Sequence, residues 1–451
     1  MDDLKLNNNN SSFTKNSILF FSANVLTFLM TFLSAMLLAR VLGPSGQGAL
    51  SIILLIPTFA FTIMSLGVHQ ANIYFIGKYE NGISSLISNS TSYIILIGSV
   101  LSLGIWFLRD SIASWLALPA YVTAIGLSCF LFPLILSHNI YINFLIGLKK
   151  FTERNISALL YGSLNLALII FFVYFLKWGV QGGVLSLTVA ALIASIYSFF
   201  IITRDYKFKF QNADHRLFQE SVDYGFKSQL GNIFQIFNYR FDVFFVNYFL
   251  GVTSVGIYSI AVSVGELLWY ISTVTGTLLF SMVSNDSQKY DDKFISSVCR
   301  KTILLTFGGA LFLLLTSWIL VPALFGKAFV NSITPLIILL PGIVAISIHK
   351  VLIFGLLGKG YPQYMSYSGF ITLIFTVVLD VFLIPVLGVP GAALASTLAY
   401  VVCAFLTARW YIRTTNFTWY DVIIPNHEDL LFFVNYTMKN LRKINCLVRN
   451  Q

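Results

Sequence analysis

Residues 17–39 have the sequence SILFFSANVLTFLMTFLSAMLLA, which contains no charged side chain. An α-helix needs about 20 predominantly apolar residues to cross the hydrocarbon core of a bilayer. This stretch is therefore predicted to form a transmembrane helix, and eleven further runs of the same kind follow it along the chain. The twelve predicted spans are 17–39, 49–76, 86–108, 120–147, 156–176, 181–203, 222–250, 255–283, 298–320, 332–357, 364–386 and 391–412.

The composition of the whole chain agrees with this interpretation. Of its 451 residues, 57% are hydrophobic and only 10% are charged, whereas a soluble domain carries about 25% charged residues. So little charge cannot cover a soluble surface, which excludes a soluble enzyme, and the high hydrophobicity excludes an intrinsically disordered chain. The four cysteines show no spacing typical of a metal or redox site, so neither a metal nor a cofactor is predicted.

The lysines and arginines indicate the orientation in the membrane. With the N-terminus in the cytoplasm, 21 of the 28 Lys and Arg residues lie in inner segments, four in outer segments and three inside spans. Because inner loops are enriched in Lys and Arg, this split predicts an even number of spans with both termini in the cytoplasm. No outer segment is long enough for a folded domain, which disfavours an integral polymerase that acts on sugars outside the membrane.

An internal repeat relates the two halves of the chain. The segment 39–52 recurs as 247–260, through Leu-Gly, a second Gly five positions later and then Ser-Ile, at an offset of 208. Shorter matches at offsets of 211 and 209 pair His138 and Gly147 with His349 and Gly358, and 179–182 with 388–391. Since each half has an even number of spans, the repeats are parallel, and transporters of this kind bind substrate at the repeat interface.

We therefore predict an all-α integral membrane protein. Its twelve transmembrane helices form two parallel six-helix bundles around a central cavity. The N-terminal bundle is predicted at 1–203 and the C-terminal bundle at 222–413, with a cytoplasmic linker at 204–221 and a cytoplasmic tail at 414–451.

The seventh predicted span, 222–250, is the most polar of the twelve. At 100° per residue, four of its polar side chains fall within about 80° of one another, namely Lys227, Gln235, Asn238 and Asp242. Such a stripe indicates either the wall of a cavity or a polar contact between helices. Lys227 either faces the cavity as a contact for an anion or extends to the inner interface.

Three ionisable residues are predicted near the middle of the membrane. Arg240, Asp242 and Glu266 lie about 17–20 Å from the outer turn that separates the seventh and eighth spans, at 1.5 Å per residue. Since a charge at this depth costs about 2.5–3.5 kcal/mol or more, Arg240 is expected to pair with Glu266 or Asp242. Asp380, about 12 Å deep, is expected to face the cavity. Arg40 at the outer end of the first span either extends to the interface or contacts substrate.

Three motifs give the chain a resemblance to a known family. They are Ala39-Arg40-x-Leu42-Gly43-Pro44 followed by Gly48; Arg240-x-Asp242 leading to Leu250-Gly251 and Gly256-x-Tyr258-Ser259; and Ile384-Pro385-x-x-Gly388-x-x-Gly391-Ala392-Ala393-x-Ala395. Together and in this order they resemble bacterial oligosaccharide flippases of the multidrug/oligosaccharidyl-lipid/polysaccharide exporter superfamily. The likeness covers nearly all twelve spans. One departure is Asp380, where the family pattern has Asn.

The resemblance implies a function. Such proteins move undecaprenyl-diphosphate-linked oligosaccharide across the bacterial cytoplasmic (inner) membrane by alternating access, for O-antigen, capsule or exopolysaccharide assembly. Membrane lipid and the substrate are the expected partners, with a polysaccharide polymerase or glycosyltransferases as further candidates. Flipping breaks no covalent bond, so the protein is not expected to be an enzyme. The net charge of +10 reflects topology and does not indicate nucleic acid.

The candidate site residues follow from these charges and polar groups. The candidate substrate contacts are Arg240, Lys227, Gln235, Asn238 and Arg40, and the candidates for ion coupling are Asp242, Glu266 and Asp380. Cations can hold a diphosphate through charge-assisted hydrogen bonds, and amides suit sugar hydroxyls. Coupling to protons, to sodium or to neither stays open.

Three alternatives are retained. The first is a multidrug or cation antiporter of the same superfamily, in which acidic residues should dominate the cavity; the mixed charges found here favour an anionic substrate instead. The second is an integral polysaccharide polymerase, which the repeat and the short outer segments disfavour. The third is a flippase for the peptidoglycan precursor.

Overall fold

A computed structural model describes residues 2–79, 82–206, 208–210, 213–286, 290–415, 417–427, 429 and 431. Within these ranges the regular structure is entirely helical. The α-helices are α1 (Asp2–Met64), α2 (Val68–Lys78), α3 (Ile83–Trp115), α4 (Val122–Gly147), α5 (Phe151–Ile169), α6 (Gly179–Asp205), α7 (His215–Leu250), α8 (Val252–Asn285), α9 (Asp292–Phe325), α10 (Ile333–Gly358), α11 (Gln363–Leu387), α12 (Val389–Thr414) and α13 (Trp419–Ile423).

The first two predicted spans are joined by a kink rather than by a loop. Gly43 has φ 66° and ψ −178° and is followed by Pro44, and the chain is helical on both sides. A left-handed φ is open to glycine without steric penalty, and proline accepts the first position of a helix because it needs no N–H donor there. The Leu42-Gly43-Pro44 motif therefore changes the direction of α1 without a connecting segment.

The second predicted span, 49–76, is interrupted. α1 ends at Met64, Leu66 and Gly67 have positive φ, and α2 begins at Val68. The prediction of one continuous span is wrong here, because it continued the apolar run through Gly67 and the polar residues His69 and Gln70. The break matters for the site described below, since it exposes backbone groups to α7.

Ten helices among the described residues are long and apolar enough to cross a membrane. The first of them, Ser22–Met64, covers two predicted spans on either side of Gly43. α7 is not among the ten, although its length of 36 residues would suffice, because polar residues lower its hydropathy. The fold is thus a multi-pass bundle of membrane helices, as predicted, while the count of twelve remains a prediction.

The predicted linker 204–221 is largely helical. α6 continues to Asp205 and α7 already begins at His215. The carboxylate of Asp214 accepts hydrogen bonds from the N–H groups of Arg216 and Leu217 and so caps the first turn of α7. The non-helical connection is therefore shorter than predicted; its residues 207, 211 and 212 lie outside the described ranges.

The chain packs as two compact units. One comprises Met1–Ile260 and Val321–Ser332, and the other comprises Ala261–Leu320 and Ile333–Gln451. In the first unit α7 packs against α1, α2 and α3. The predicted bundles 1–203 and 222–413 are defined by sequence repetition rather than by packing, and they remain predictions.

The segment after α12 is anchored in the second unit. Arg300 on α9 donates to the carboxylate of Asp429 at 2.5 Å and to the carbonyl of Asp421, and Val422 is fully buried. The hydroxyl and the N–H of Thr418 donate to the carboxylate of Asp421, which lowers the pKa of that carboxyl below its ordinary value. The first part of the predicted tail 414–451 is therefore packed on the protein, and residues 432–451 lie outside the described ranges.

Candidate functional site

The polar stripe of α7 faces the interior of the first unit. Gln235, Asn238 and Asp242 retain at most 8% of their accessible surface. The amide N–H of Gln235 donates to the hydroxyl of Tyr239 one turn later. Of the two interpretations of the stripe, this burial agrees with a polar contact between helices; contact of the same side chains with substrate remains a prediction.

Asp242 is bound to α8. Its Oδ2 atom accepts a hydrogen bond of 2.5 Å from the hydroxyl of Tyr258, and its Oδ1 atom accepts one of 2.7 Å from the N–H of Val243. Both Asp242 and Tyr258 are buried. A carboxylate that accepts two short hydrogen bonds is fixed in position, so Asp242 joins α7 to the first part of α8.

Lys227 does not join the buried part of the stripe. Its Nζ atom pairs with the carboxylate of Asp223 one turn earlier, at 2.8 Å, and about 70% of each side chain is exposed. Exposed pairs of this kind add little stability. Lys227 lies nearer the start of α7 than the buried members of the stripe do, and its contact with substrate remains a prediction.

Gln229, which sequence analysis placed outside the stripe, connects α7 to the break between α1 and α2. Its amide N–H donates to the carbonyl of Thr62 at 3.3 Å and to the hydroxyl of Ser65 at 3.4 Å, and its amide oxygen accepts from Gln70 at 3.2 Å. The side chain is 2% exposed. The signal in the sequence was an amide within a predicted membrane span, because an amide that is buried there needs hydrogen-bond partners.

The backbones of α7 and this break also lie close together. A Cβ atom on Gly67 would be 2.0 Å from the carbonyl oxygen of Gly225, and Gly67 has φ 67°. Any other residue at position 67 would clash and would be strained. The start of α7 is thus fixed against α1 and α2 by a glycine contact and by the amide of Gln229.

Arg40 contacts the end of another helix. Its Nε atom donates to the carbonyl of Leu324 at 2.7 Å, and its Nη2 atom donates to the carbonyl of Ala323. Both carbonyls lie in the last turn of α9, where backbone acceptors have no helical partner and the helix dipole is negative. The guanidinium therefore caps α9. The sequence suggested only the membrane interface or the substrate as partners of Arg40, and not a helix end.

Arg240 is half-buried on α7, ten residues before Leu250. At 1.5 Å per residue this is about 15 Å from the end of the helix. Arg240 therefore lies well inside α7, and its contact with substrate remains a prediction. Glu266, on α8, belongs to the second unit and is also half-buried.

Lys350, in the second unit, is a charged residue inside a predicted span to which sequence analysis assigned no role. It lies inside α10, and its Nζ atom donates to the hydroxyl of Thr273 at 3.0 Å and lies 4.6 Å from the ring centroid of Trp269. Glu266, Trp269 and Thr273 share one face of α8, because they are spaced three and four residues apart.

Asp380 lies at the end of a buried polar row on α11. Ser368, Thr372, Thr376 and Asp380 are spaced four residues apart and are all fully buried. This spacing places them on one side of the helix. Asp380 is thus buried within the protein; that it faces a cavity and takes part in ion coupling remains a prediction.

Charged side chains are placed inside helices of both units. Half-buried cations occur deep in helices of both units, at Arg240 and at Lys350. Buried carboxylates occur at Asp242 and Asp380. In the described ranges, no group of three or more His, Cys, Asp or Glu residues is placed to hold a metal ion.

Comparison with known proteins gives a consistent picture. A family described as polysaccharide biosynthesis protein matches residues 13–277. A protein of Shigella flexneri, named as an O-antigen transporter, is 24% identical over 415 residues, which cover 89% of this chain and 98% of that protein. A protein of Haloferax volcanii, named as a low-salt glycan biosynthesis flippase, is 28% identical over 45% of this chain and 42% of its own length.

Solved structures show the same fold. The lipid II flippase MurJ in an inward closed conformation superposes with a TM-score of 0.75 at 17% identity, over 93% of each chain. An inward-facing multidrug transporter of the MATE family and the MOP superfamily superposes with a TM-score of 0.73 at 15% identity, over 88% of this chain and 97% of the other. At these identities the likeness establishes the fold and does not distinguish between a drug and a lipid-linked sugar as cargo.

Proposed function

Because this chain belongs to the polysaccharide biosynthesis protein family, we propose that it flips lipid-linked oligosaccharide across a membrane. The cargo is undecaprenyl-diphosphate-linked oligosaccharide, which moves from the inner to the outer leaflet of the bacterial cytoplasmic membrane by alternating access. The product serves O-antigen, capsule or exopolysaccharide assembly. Its named relatives are a transporter and a flippase. The protein is likewise a transporter and not an enzyme.

The observation that carries this proposal is the cation inside α7. A diphosphate is anionic, and its transfer through a region of low dielectric constant is strongly unfavourable unless charge compensates it. Arg240 supplies five N–H donors and a permanent positive charge about 15 Å from the helix end. A cation-exporting protein gains nothing from an arginine at this depth, because the guanidinium would repel its cargo.

The amides of α7 suit the sugar part of the cargo. The amide oxygen of Gln235 is buried and accepts no hydrogen bond from the described residues. A buried acceptor in this state costs about 1–3 kcal/mol, which a sugar hydroxyl would recover by donating to it. Asn238 provides a second amide one turn further along the same face. Lys227 and Arg40 are exposed toward opposite ends of the predicted path. They contact the cargo where it enters and where it leaves.

Coupling to an ion gradient would use the carboxylates. Asp242 can take up a proton where Tyr258 now donates, and Asp380 lies in a row of hydroxyl groups that can pass a proton or coordinate sodium. Each charge moved across the membrane contributes about 2.3 kcal/mol per 100 mV. Glu266, half-buried on α8, is the third candidate.

The asymmetry of Lys and Arg supports the orientation, with both termini in the cytoplasm. Polyprenyl-linked sugars are assembled on that side, so glycosyltransferases would supply the cargo there. A polysaccharide polymerase would consume it on the outer side.

The test measures which leaflet holds the cargo. In spheroplasts of a deletion strain, a membrane-impermeant reagent that modifies sugars is used to quantify outer-leaflet lipid-linked oligosaccharide. We expect wild type to restore outer-leaflet cargo and Arg240→Ala to restore less than a tenth of it at equal protein level. Arg109→Ala is the matched control, because Arg109 lies beside Asp110 and stacks on Trp106 at the helix periphery.

An unchanged leaflet distribution in the deletion strain would overturn the proposal. Loss of resistance to cationic drugs in the same strain would then favour the antiporter of the same superfamily. If wild type restores the distribution and Arg240→Ala does so equally well, flipping stands and the assignment of Arg240 is wrong.

A further inference from the structure

The exposed face of α12 changes from apolar to cationic near the C-terminal end of the helix. Leu398, Val401 and Phe405 are 41%, 45% and 51% exposed, and α12 is one of the helices that can cross a membrane. Arg409 and Arg413, also exposed, continue this face, because positions 405, 409 and 413 fall within about 80° of one another. Apolar side chains suit the acyl chains of lipid and arginines suit the headgroups. The boundary between the two regions therefore lies between Phe405 and Arg409.

An aromatic cluster marks the same boundary on the neighbouring helix. The ring of Trp410 stacks on Tyr364, with centroids 5.2 Å apart, and meets Tyr367 edge-on at 6.3 Å. Tyr364 lies in the first turn of α11, beside the end of α12. Tryptophan and tyrosine are enriched at membrane–water interfaces. Because Trp410 directly follows Arg409, this cluster independently places the two arginines at the depth of the headgroups.

The chain turns back after α12 and runs beside it. The ring of Trp419 on α13 stacks on Phe405, with centroids 5.2 Å apart and ring planes 12° apart. Phe405 lies nine residues before Thr414, the last residue of α12, which is about 14 Å along the helix. Arg300, eight residues into α9, donates to the carbonyl of Asp421 on the same segment. Two separate contacts thus hold α13 against the sides of α9 and α12.

α13 presents large side chains outward at this depth. Trp419, Tyr420 and Ile424 are 37%, 73% and 50% exposed, whereas Val422 is fully buried. A short segment with aromatic side chains outside and an apolar anchor beneath is typical of the membrane interface. The ring of Trp419 therefore lies at the edge of the acyl chains, one helical turn from Arg409.

The two arginines are placed to receive one phosphate group. Residues four apart on a helix have Cβ atoms about 5–6 Å apart, and each guanidinium presents a fork of N–H donors that matches phosphate. In the part of the chain that the structure describes, no carboxylate forms an ion pair with Arg409 or Arg413. Two adjacent positive charges repel the ammonium of a zwitterionic headgroup, so this surface favours a headgroup with net negative charge.

We propose that Arg409, Arg413 and Trp419 form a binding site for an anionic phospholipid, in the leaflet at the C-terminal end of α12. The phosphate lies between the two guanidinium groups, and an acyl chain runs over the rings of Trp419 and Phe405. In the proposed orientation this leaflet is the inner one. The site takes a lipid of the bilayer itself, so the proposal does not depend on the identity of the cargo.

The experiment measures which lipid lies beside Trp419. The purified full-length protein is reconstituted in dioleoyl phosphatidylcholine vesicles that contain an increasing fraction of lipid with brominated acyl chains, either phosphatidylglycerol or phosphatidylcholine. Bromine quenches tryptophan fluorescence only at short range, and the difference between wild type and Trp419→Phe gives the signal of Trp419. We expect phosphatidylglycerol to bind beside Trp419 at least fivefold more tightly than phosphatidylcholine, because two basic residues attract it.

The variant Arg409→Gln/Arg413→Gln should reduce this preference to less than twofold. Quenching by phosphatidylcholine should stay as in wild type, which shows that the segment is still folded and still in the membrane. Arg204→Gln is the matched control, because Arg204 is an exposed arginine near the end of α6 that pairs with Asp205 outside the site; it should keep the full preference. In wild type, added salt should weaken the preference by screening exposed charges, which tests the proposal without any substitution.

Three results would overturn the proposal. Quenching of Trp419 by neither lipid would place α13 outside the membrane. Equal quenching by both lipids in wild type, or a preference that survives the double substitution, would show that the arginines do not select the headgroup.

A competition experiment separates the phospholipid from a second source of phosphate. Unbrominated undecaprenyl diphosphate should relieve the quenching by brominated phosphatidylglycerol no more than an equal amount of unbrominated phosphatidylglycerol does. Much stronger relief would show that the arginines hold the diphosphate of a polyprenyl carrier, and the assignment to a phospholipid would be wrong.

Discussion

Gly48 and Gly256 occupy equivalent positions of the internal repeat. Each glycine packs against the backbone of the segment that contains the other. A Cβ atom on Gly48 would be 1.9 Å from the carbonyl oxygen of Val252, and one on Gly256 would be 1.9 Å from that of Pro44. Val252 and Pro44 are also separated by the repeat offset of 208. The glycines that revealed the repeat in the sequence therefore form a contact between its two copies.

This contact predicts that neither glycine tolerates a side chain. We expect Gly48→Ala and Gly256→Ala each to lower the free energy of unfolding by about 1–3 kcal/mol, the usual cost of overpacking. Thermal unfolding in detergent measures the effect. Gly104→Ala, where the added Cβ atom meets no atom within 4 Å, should leave the midpoint unchanged or raise it. Equal midpoints for all three variants would contradict the contact.

Arg40 should contribute to stability through the end of α9. We expect Arg40→Ala to lose about 1–2 kcal/mol, the range for a cation near helix C-terminal carbonyls in a favourable geometry. Arg40→Lys should recover only part of this, because an ammonium lacks the fork that reaches two carbonyls at once. Unfolding of both variants provides the measurement. Unchanged stability together with lost flipping would instead favour the predicted contact with substrate.

The two kinds of ion pair in this protein should differ sharply in strength. Arg300 and Asp429 are 10% and 2% exposed, so removal of one partner leaves a buried charge, and we expect Asp429→Ala to cost about 3–5 kcal/mol. Asp223→Ala breaks the exposed pair with Lys227 and should cost less than about 1 kcal/mol. Similar losses in unfolding free energy for the two variants would show that the segment after α12 is not anchored in this way.

Asp242 allows its structural and transport roles to be separated. An asparagine retains a carbonyl oxygen that can accept from the hydroxyl of Tyr258, so we expect Asp242→Asn to lose less than about 1 kcal/mol of stability. Tyr258→Phe removes the donor and should lose about 1–3 kcal/mol.

The leaflet assay then tests coupling. If Asp242 takes up the coupling ion, Asp242→Asn should be stable but inactive in flipping, because an amide cannot titrate. A stable variant with wild-type flipping would show that Asp242 serves the fold alone and would transfer the coupling role to Glu266 or Asp380.

Much of the fold could be predicted because the membrane restricts it to helices. Apolar runs located the helices, and the Leu-Gly pairs at residues 42–43 and 250–251 marked their joints. The break at Leu66 and Gly67 was not predicted, because Gly67 and the polar residues beside it fit a turn and a polar patch on one continuous helix equally well. The contacts with α7 that stabilise the turn depend on helix packing. α7 was predicted as a span, yet it is not among the ten apolar helices, because its polar residues lower its hydropathy. The partners of one of them, Gln229, lie on other segments and cannot be identified from the sequence.

The candidate site was predicted less completely. Periodicity correctly placed Gln235, Asn238 and Asp242 together, because the spacing of residues along one helix determines their common face. It grouped Lys227 with them, although that residue lies near the helix start and pairs with Asp223. Lys350 was visible as a charge inside a span, but its relation to Trp269 depends on how two helices cross.

The sequence by itself determined the membrane environment, the repeat and the polar character of α7, because these follow from composition and from regular spacing along one chain. Only the tertiary structure decided which polar groups are satisfied by the protein. Arg40 binds carbonyls some 284 residues away, and Gln229 binds groups 167 and 164 residues away. Hydrogen bonds act over about 3 Å in space, so their partners depend on helix packing and not on distance along the chain.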